Sequence, residues 1–164
     1  MKPALDLEGR VIAVAGAGGG GIGSAIAKML AAAGARVAGI DRDPEAFDAI
    51  REALDNADSP HHLVTSDLAE EGAADAAIGE IEGTLGPVSG VVNVVGGFLG
   101  LEQMAPLLDP SAERNFSQLL EFNLGPTLAT SIAVARRLRD RGAPGSIVQI
   151  TSSTGLVSMP YGAG

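Results

Sequence analysis

The chain has 164 residues, of which 46% are hydrophobic and 19% charged, with 23 Gly, no Cys and no Trp. This length suits one globular domain with a real core, and the missing cysteines exclude a disulfide scaffold, a thiolate metal site and a cysteine nucleophile. A formal charge of −9 argues against nucleic-acid binding, which rests on Lys and Arg neutralising phosphates. The pair His61–His62 leaves little for a zinc site. Apolar runs are broken by Gly and charge well short of the ~20 residues a spanning helix needs, so no membrane association is expected. The start, Met1-Lys2-Pro3-Ala4-Leu5-Asp6-Leu7-Glu8, lacks the basic-then-apolar pattern of a secretory signal, and a cytoplasmic location is the expectation.

Short apolar runs alternate with helical ones. Arg10-Val11-Ile12-Ala13-Val14-Ala15 reads as a buried strand ended by glycines. From Ile22 to Ala33 the apolar residues fall at helical spacing and stop at Gly34. Ala35–Asp41 is a second strand. Pro44 opens a helix through Leu54, as Pro can in a first turn. His62–Asp67 is a third strand and Ala69–Leu85 a helix ended by Gly86-Pro87. Gly90–Val95 is a strongly apolar fourth strand. A long helix is expected from Ser111 to Arg141, with a bend near Gly125-Pro126. Gly145–Thr151 is a fifth strand.

Continuously apolar strands alternating with helices imply a parallel sheet covered on both faces. Right-handed crossovers make this a doubly wound α/β fold, a Rossmann fold of five strands in one domain over residues 1–164. No repeat or linker divides it.

Chemistry concentrates where strands end. The run Ala15-Gly16-Ala17-Gly18-Gly19-Gly20-Gly21-Ile22-Gly23 lies between the first strand and the first helix. Glycines there let a ligand approach the backbone, and the helix N-terminus offers unpaired N–H groups to a pyrophosphate. A tight turn would use glycines too, but the strand-before, helix-after context favours the phosphate cradle. No Lys follows, which disfavours a nucleotide-triphosphate P-loop; Ser24 comes next. Asp41 ends the second strand, 18 residues after Gly23. A carboxylate there accepts hydrogen bonds from the adenosine ribose and repels a 2′-phosphate, which favours NAD over NADP. Arg42 beside it softens that preference.

At these residues the chain resembles the short-chain dehydrogenase/reductase family, from about Leu7 onward. Leu7-Glu8-Gly9-Arg10-Val11 is similar to the family's lead-in to its first strand. The glycine run resembles Thr-Gly-x-x-x-Gly-x-Gly with two departures. Ala15 replaces the Thr, and four residues rather than three separate Gly16 from Gly21, which leaves the glycine register open. Ser66-Asp67-Leu68 resembles the segment whose Asp contacts the adenine. Asn93-Val94-Val95-Gly96 stands where the family has Asn-Asn-Ala-Gly, keeping Asn93 and Gly96. Phe122-Asn123-Leu124-Gly125 resembles the segment with the mid-helix Asn. Ile147-Val148-Gln149-Ile150-Thr151-Ser152-Ser153 resembles the fifth strand with its catalytic Ser, here Ser152.

The resemblance implies hydride transfer between NAD(P) and an alcohol or carbonyl substrate, with NAD preferred. It implies cofactor contacts from Gly16, Gly18, Gly20, Gly21, Ile22, Gly23, Asp41, Arg42, Asp67, Leu68, Asn93 and Gly96. Ser152 would hydrogen-bond the substrate oxygen. Asn123 would distort its helix and hold a water in a proton relay. A Tyr acts as acid or base, with a Lys in Tyr-x-x-x-Lys lowering its pKa. Family spacing places that Tyr one position past Gly164. Tyr161, nine residues after Ser152 and with no Lys behind it, reads as a loop residue. The sequence thus reads as truncated, lacking the C-terminal part of the fold, and the full-length form is expected to be a homo-oligomer, a dimer or tetramer. Gly97–Met104 and Gly155–Gly164 are expected at the pocket mouth, with an apolar edge. A non-catalytic dinucleotide-binding module or sensor is the alternative; a flavin or sugar-nucleotide protein of this fold is a weaker one.

Overall fold

The structure is a computed structural model that describes residues 7–97 and 108–153. Expectations for Tyr161, for the segment after Gly97 and for the stretch after Gly155 lie outside the described residues. The elements are β1 (Val11–Ala15), α1 (Ile22–Ala32), β2 (Arg36–Asp41), a 3-10 turn (Pro44–Phe47), α2 (Asp48–Asp55), β3 (His61–Thr65), α3 (Ala73–Leu85), β4 (Val88–Asn93), α4 (Ala112–Asn123), α5 (Gly125–Asp140) and β5 (Ser146–Gln149).

The strands form one sheet in the order β3-β2-β1-β4-β5. Every pairing is parallel, with Ala13 opposite both Ala38 and Val91. The expected doubly wound α/β fold is therefore present. Side chains alternate between the two faces, as a pleated strand requires. Val11, Ala13, Ala15, Ala38 and Ile40 pack with Ile78, Ile81, Val134 and Leu138 of α3 and α5. Val14 and Val37 face the other way, onto Ala27, Phe47, Ile50 and Leu54 of α1, the 3-10 turn and α2. Burying both faces explains why the central strands read as unbroken apolar runs.

Several boundaries differ from the sequence reading. Helix α3 begins at Ala73, not Ala69, because Asp67 folds the chain into a turn by accepting the Ala69 N–H at 3.0 Å, and Gly72 then caps the helix in the left-handed conformation. Residues Pro44–Phe47 form a 3-10 turn before α2, with the Asp43 side chain accepting the Glu45 N–H. β3 starts one residue early and ends at Thr65; β4 spans Val88–Asn93. The long helix expected over Ser111–Arg141 is two helices that share Leu124 as a cap, with Pro126 in the first turn of the second. Pro has no N–H to donate, so a helix restarts there more readily than it continues.

In this strand order the sequence runs outward in opposite directions from β1, to β2 on one side and β4 on the other. The crevice beyond their C-terminal ends is where such sheets bind ligands. Ala15, Asp41 and Asn93 end the three strands there.

Candidate functional site: a dinucleotide cleft at the strand ends

A cleft of about 250 Å³ opens at this crevice, lined by residues from the ends of β1 to β4 and from α4 and α5. Gly16 forms the floor. A methyl group added to Gly16 would sit 3.0 Å from the Val95 backbone nitrogen, and its φ is 81°, so glycine is what lets the loop pack against the chain leaving β4. Asp41 and Arg42 line one side, Ser66-Asp67-Leu68-Ala69 the next, Val94-Val95-Gly96 the third, and Phe122 and Pro126 close it.

The glycine loop is tied down from within. Ser24, almost wholly buried, donates to the Ala17 carbonyl at 2.7 Å and accepts the Gly20 N–H at 3.0 Å. Gly19 and Gly20 have φ of 74° and 76°, a region that side-chain-bearing residues rarely adopt, and neither would meet a neighbour within 3.4 Å if it carried a methyl group. The extra residue of the loop is thus taken up as an exposed bulge. Gly19 N–H donates to the Ala46 carbonyl at 2.9 Å, so the bulge leans on the 3-10 turn after β2. Behind it, α1 follows Gly21 with no side-chain cap and no acidic residue in its first turn. Its N–H groups and partial positive charge remain available to an anion.

Asp41 links the loop to the second strand. Its Oδ2 accepts the Gly18 N–H at 2.9 Å and its Oδ1 the Asp43 N–H at 3.2 Å. A Cβ on Gly18 would stand 2.7 Å from that Oδ2, so glycine is what lets loop and carboxylate meet. The carboxylate is fixed in orientation while it lines the cleft.

Six of the anticipated residues line the cleft together: Gly16, Asp41, Arg42, Asp67, Leu68 and Gly96. Gly18, Gly20, Gly21 and Ile22 lie in the loop and helix start just beyond it, and Ile22 is exposed. Gly23 faces inward: an added methyl group would run into the Gly16 carbonyl, so its place is in packing helix against loop. Asn93 is buried, and its Nδ2 donates to Ser131 Oγ at 3.1 Å and Gln149 Oε1 at 3.2 Å, joining β4 to α5 and β5. Asn123 is at the α4–α5 break, where its side chain holds the Gly97 backbone from both sides. Ser152 is exposed just past β5, whose end is held by the Ile150 N–H donating to the Asn93 carbonyl at 2.9 Å. Among the described residues no cluster of His, Asp and Glu could hold a metal ion, and no helix is long and apolar enough to cross a membrane.

Sequence reasoning did not anticipate Ser24, Phe122 or Pro126 as parts of the site. Ser24 had a signal, a small polar residue in the first turn after a glycine loop. Phe122 had a fainter one, since it is one of five aromatic residues in the chain.

The residues present fit a dinucleotide. Gly16 brings bare backbone to the cleft, a helix N-terminus without a side-chain cap follows the loop, and a carboxylate lines the wall, groups of the kind that a pyrophosphate and a ribose call for. Known proteins agree. L-xylulose reductase of Bos taurus is 35% identical over 148 residues, 90% of this chain and 55% of that protein. D-threitol dehydrogenase of Mycolicibacterium smegmatis is 30% identical over 153 residues, 93% of this chain and 56% of that protein. The crystal structure of NAD+-bound xylitol dehydrogenase matches with a TM-score of 0.80 at 26% identity, covering 94% of this chain and 57% of that one. The chain therefore spans a little over half the length of these relatives. The sequence model described as short chain dehydrogenase matches residues 10–164, nearly the whole chain. The five-stranded parallel sheet, with its glycine loop between β1 and α1, agrees with that match, and the chain belongs to the short-chain dehydrogenase family.

Proposed function

We propose that this chain forms the cofactor half of an NAD-dependent oxidoreductase acting on an alcohol or carbonyl group. The observation that carries the reading is Asp41, held by the Gly18 N–H at the cleft wall. A fixed carboxylate there accepts from the ribose 2′- and 3′-hydroxyls and repels a 2′-phosphate, so NAD is the cofactor. The backbone of Gly16, Gly18, Gly20, Gly21 and Ile22 receives the pyrophosphate, with Gly23 packed behind. Asp67 and Leu68 flank the adenine; Asn93 and Gly96 support the nicotinamide side. The cofactor supplies the hydride chemistry.

Ser152 donates to the substrate oxygen where charge develops. Asn123 organises the helix break beside the site. The acid/base Tyr and its Lys belong to the length that the relatives carry beyond the part matched here. The names of those relatives make polyols and their ketoses the first substrates to assay. The whole protein is a cytoplasmic homo-oligomer in this reading, supported by an exposed apolar stripe along α4 and α5.

Calorimetric titration of the complete protein with NAD and NADP, followed by an assay of NADH formation on polyols, tests the proposal. Tighter binding of NAD together with turnover is expected. Tighter binding of NADP overturns the preference. Binding without turnover on any alcohol or carbonyl would instead support a sensor or binding module.

A further inference from the structure

The side chain next to the ribose carboxylate is a cation, and a nearby cation is what a 2′-phosphorylated cofactor needs. Arg42 lines the same cleft as Asp41. Its position looks ready to undo the discrimination that Asp41 provides. The structure shows where the guanidinium goes instead. Its central carbon lies 5.4 Å from the centroid of the Phe122 ring. Arg42 follows β2, whereas Phe122 is the penultimate residue of α4, and both line the cleft. The contact therefore reaches from the ribose side to the helical wall.

Among the described residues the Arg42 guanidinium makes no hydrogen bond or ion pair, so the aromatic face is what fixes its direction. Asp41 does not compete for it, because both carboxylate oxygens already accept backbone N–H groups, from Gly18 and Asp43. Phe122 is half-buried, which makes its ring the firmer partner of the two.

We propose that Phe122 is a cofactor-specificity residue. By holding Arg42 across the cleft it keeps the guanidinium from turning to the ribose 2′ position, and so leaves Asp41 to decide between NAD and NADP. This rests on the reading of the cleft as the adenosine end of a dinucleotide site. Phe122 acts through Arg42 and is a positioning residue; it makes no hydrogen bond to cofactor. Released from the ring, Arg42 is free to pair with a 2′-phosphate through charge-assisted hydrogen bonds, which guanidinium makes well.

The test measures Kd for NAD+ and for NADP+ by calorimetry on the complete protein and four variants. These are Phe122→Leu, Phe122→Tyr, Arg42→Ala and the double variant Arg42→Ala/Phe122→Leu. Phe122→Leu keeps an apolar wall and removes the π face. It is expected to narrow the preference for NAD+ over NADP+ by about two- to fivefold, the amount a partly exposed cation–π contact is worth. Phe122→Tyr, which keeps a ring, is expected to retain the wild-type ratio. In the Arg42→Ala background the Leu substitution is expected to leave the ratio where Arg42→Ala alone puts it. A general packing defect would weaken both cofactors and leave their ratio unmoved. An unchanged ratio in Phe122→Leu, or an equal narrowing with and without Arg42, overturns the proposal while NAD+ binding by the wild type still upholds the cleft assignment. Wild-type protein that binds neither cofactor overturns both.

Discussion

Asn123 grips Gly97 from both sides of its backbone: its Oδ1 accepts the Gly97 N–H at 2.7 Å and its Nδ2 donates to the Gly97 carbonyl at 3.2 Å. The same Nδ2 also donates to the Leu119 carbonyl at 3.0 Å, one turn back in α4. Gly97 has φ of 144°, a conformation that few residues other than glycine adopt. One carboxamide therefore joins a helix break to the chain leaving β4.

Only an amide matches this pattern of one donor group and one acceptor. Asn123→Asp keeps the acceptor and places a carboxylate against two carbonyl oxygens. It is expected to cost about 1–3 kcal/mol, the range for a polar group left without its partners. Urea unfolding checks this. NAD affinity should fall as well, because Gly96, next to the gripped residue, lines the cleft. A variant as stable as wild type would show that water replaces the lost bonds.

The two ends of the glycine motif should respond in different ways to the same small change. In Gly23→Ala the new methyl group meets the Gly16 carbonyl, which is backbone and cannot swing aside. Overpacking of that kind costs about 1–3 kcal/mol and should lower the melting temperature. In Gly21→Ala nothing lies within 4 Å of the new methyl, and the only cost is a backbone of φ −89° and ψ −146°, outside the regions alanine favours. Its stability should fall by less than that of Gly23→Ala, by about 1 kcal/mol. Its NAD affinity should drop, because the methyl enters space that the pyrophosphate needs. Unchanged affinity in Gly21→Ala would move the cradle to the other glycines and decide the register of the lengthened loop.

Much of the sheet was legible in the sequence because both of its faces are buried. Val11–Ala15 and Val88–Asn93 contain β-branched runs bounded by glycines, and such runs announce themselves without tertiary information. The place of Asp41 at the end of a strand was legible too. The helix boundaries were harder. Ala69 to Gly72 have helical composition, but an Asp67 side chain bonds the Ala69 N–H and turns the chain before the helix can start. The division at Leu124 was legible as a bend near Gly125-Pro126, but the reach of Asn123 to Gly97, 26 residues away in sequence, was not. Contacts of this kind have no local signature. The same holds for Arg42 and Phe122, which meet only because β2 and α4 border one cleft.

Along α4 and α5 the residues Phe116, Leu120, Leu124, Leu128 and Ile132 recur every fourth position and are 47%, 42%, 53%, 53% and 39% exposed. Apolar side chains at that spacing form one stripe on the helix surface, and stripes of this size mark interfaces. Leu128→Glu places a charge in its middle. In the complete protein it should shift the sedimenting species to a smaller assembly, with NAD binding per chain retained because Leu128 does not line the cleft. An unchanged mass would assign subunit contacts to another surface.

The acid limb of stability should depend on one bridge between α3 and α5. Arg137 Nη1 lies 2.6 Å from Asp75 Oδ1 and Arg137 Nε 3.2 Å from Glu82 Oε2. The Arg137 hydrogen bond, and then its charge, hold the Asp75 carboxyl below the usual 3.8. A carboxylate with a lowered folded-state pKa contributes stability above its unfolded value and loses it as pH falls through the folded one. The contribution is therefore complete at neutral pH and disappears below about pH 4. It is modest, since the Asp75 side chain is 65% exposed and solvent screens the pair. Asp75→Asn should melt below wild type at pH 7, and the gap should close as the pH is lowered past that window. A gap that persists at the acid end would mean that Asp75 acts through its neutral hydrogen bonds rather than its charge.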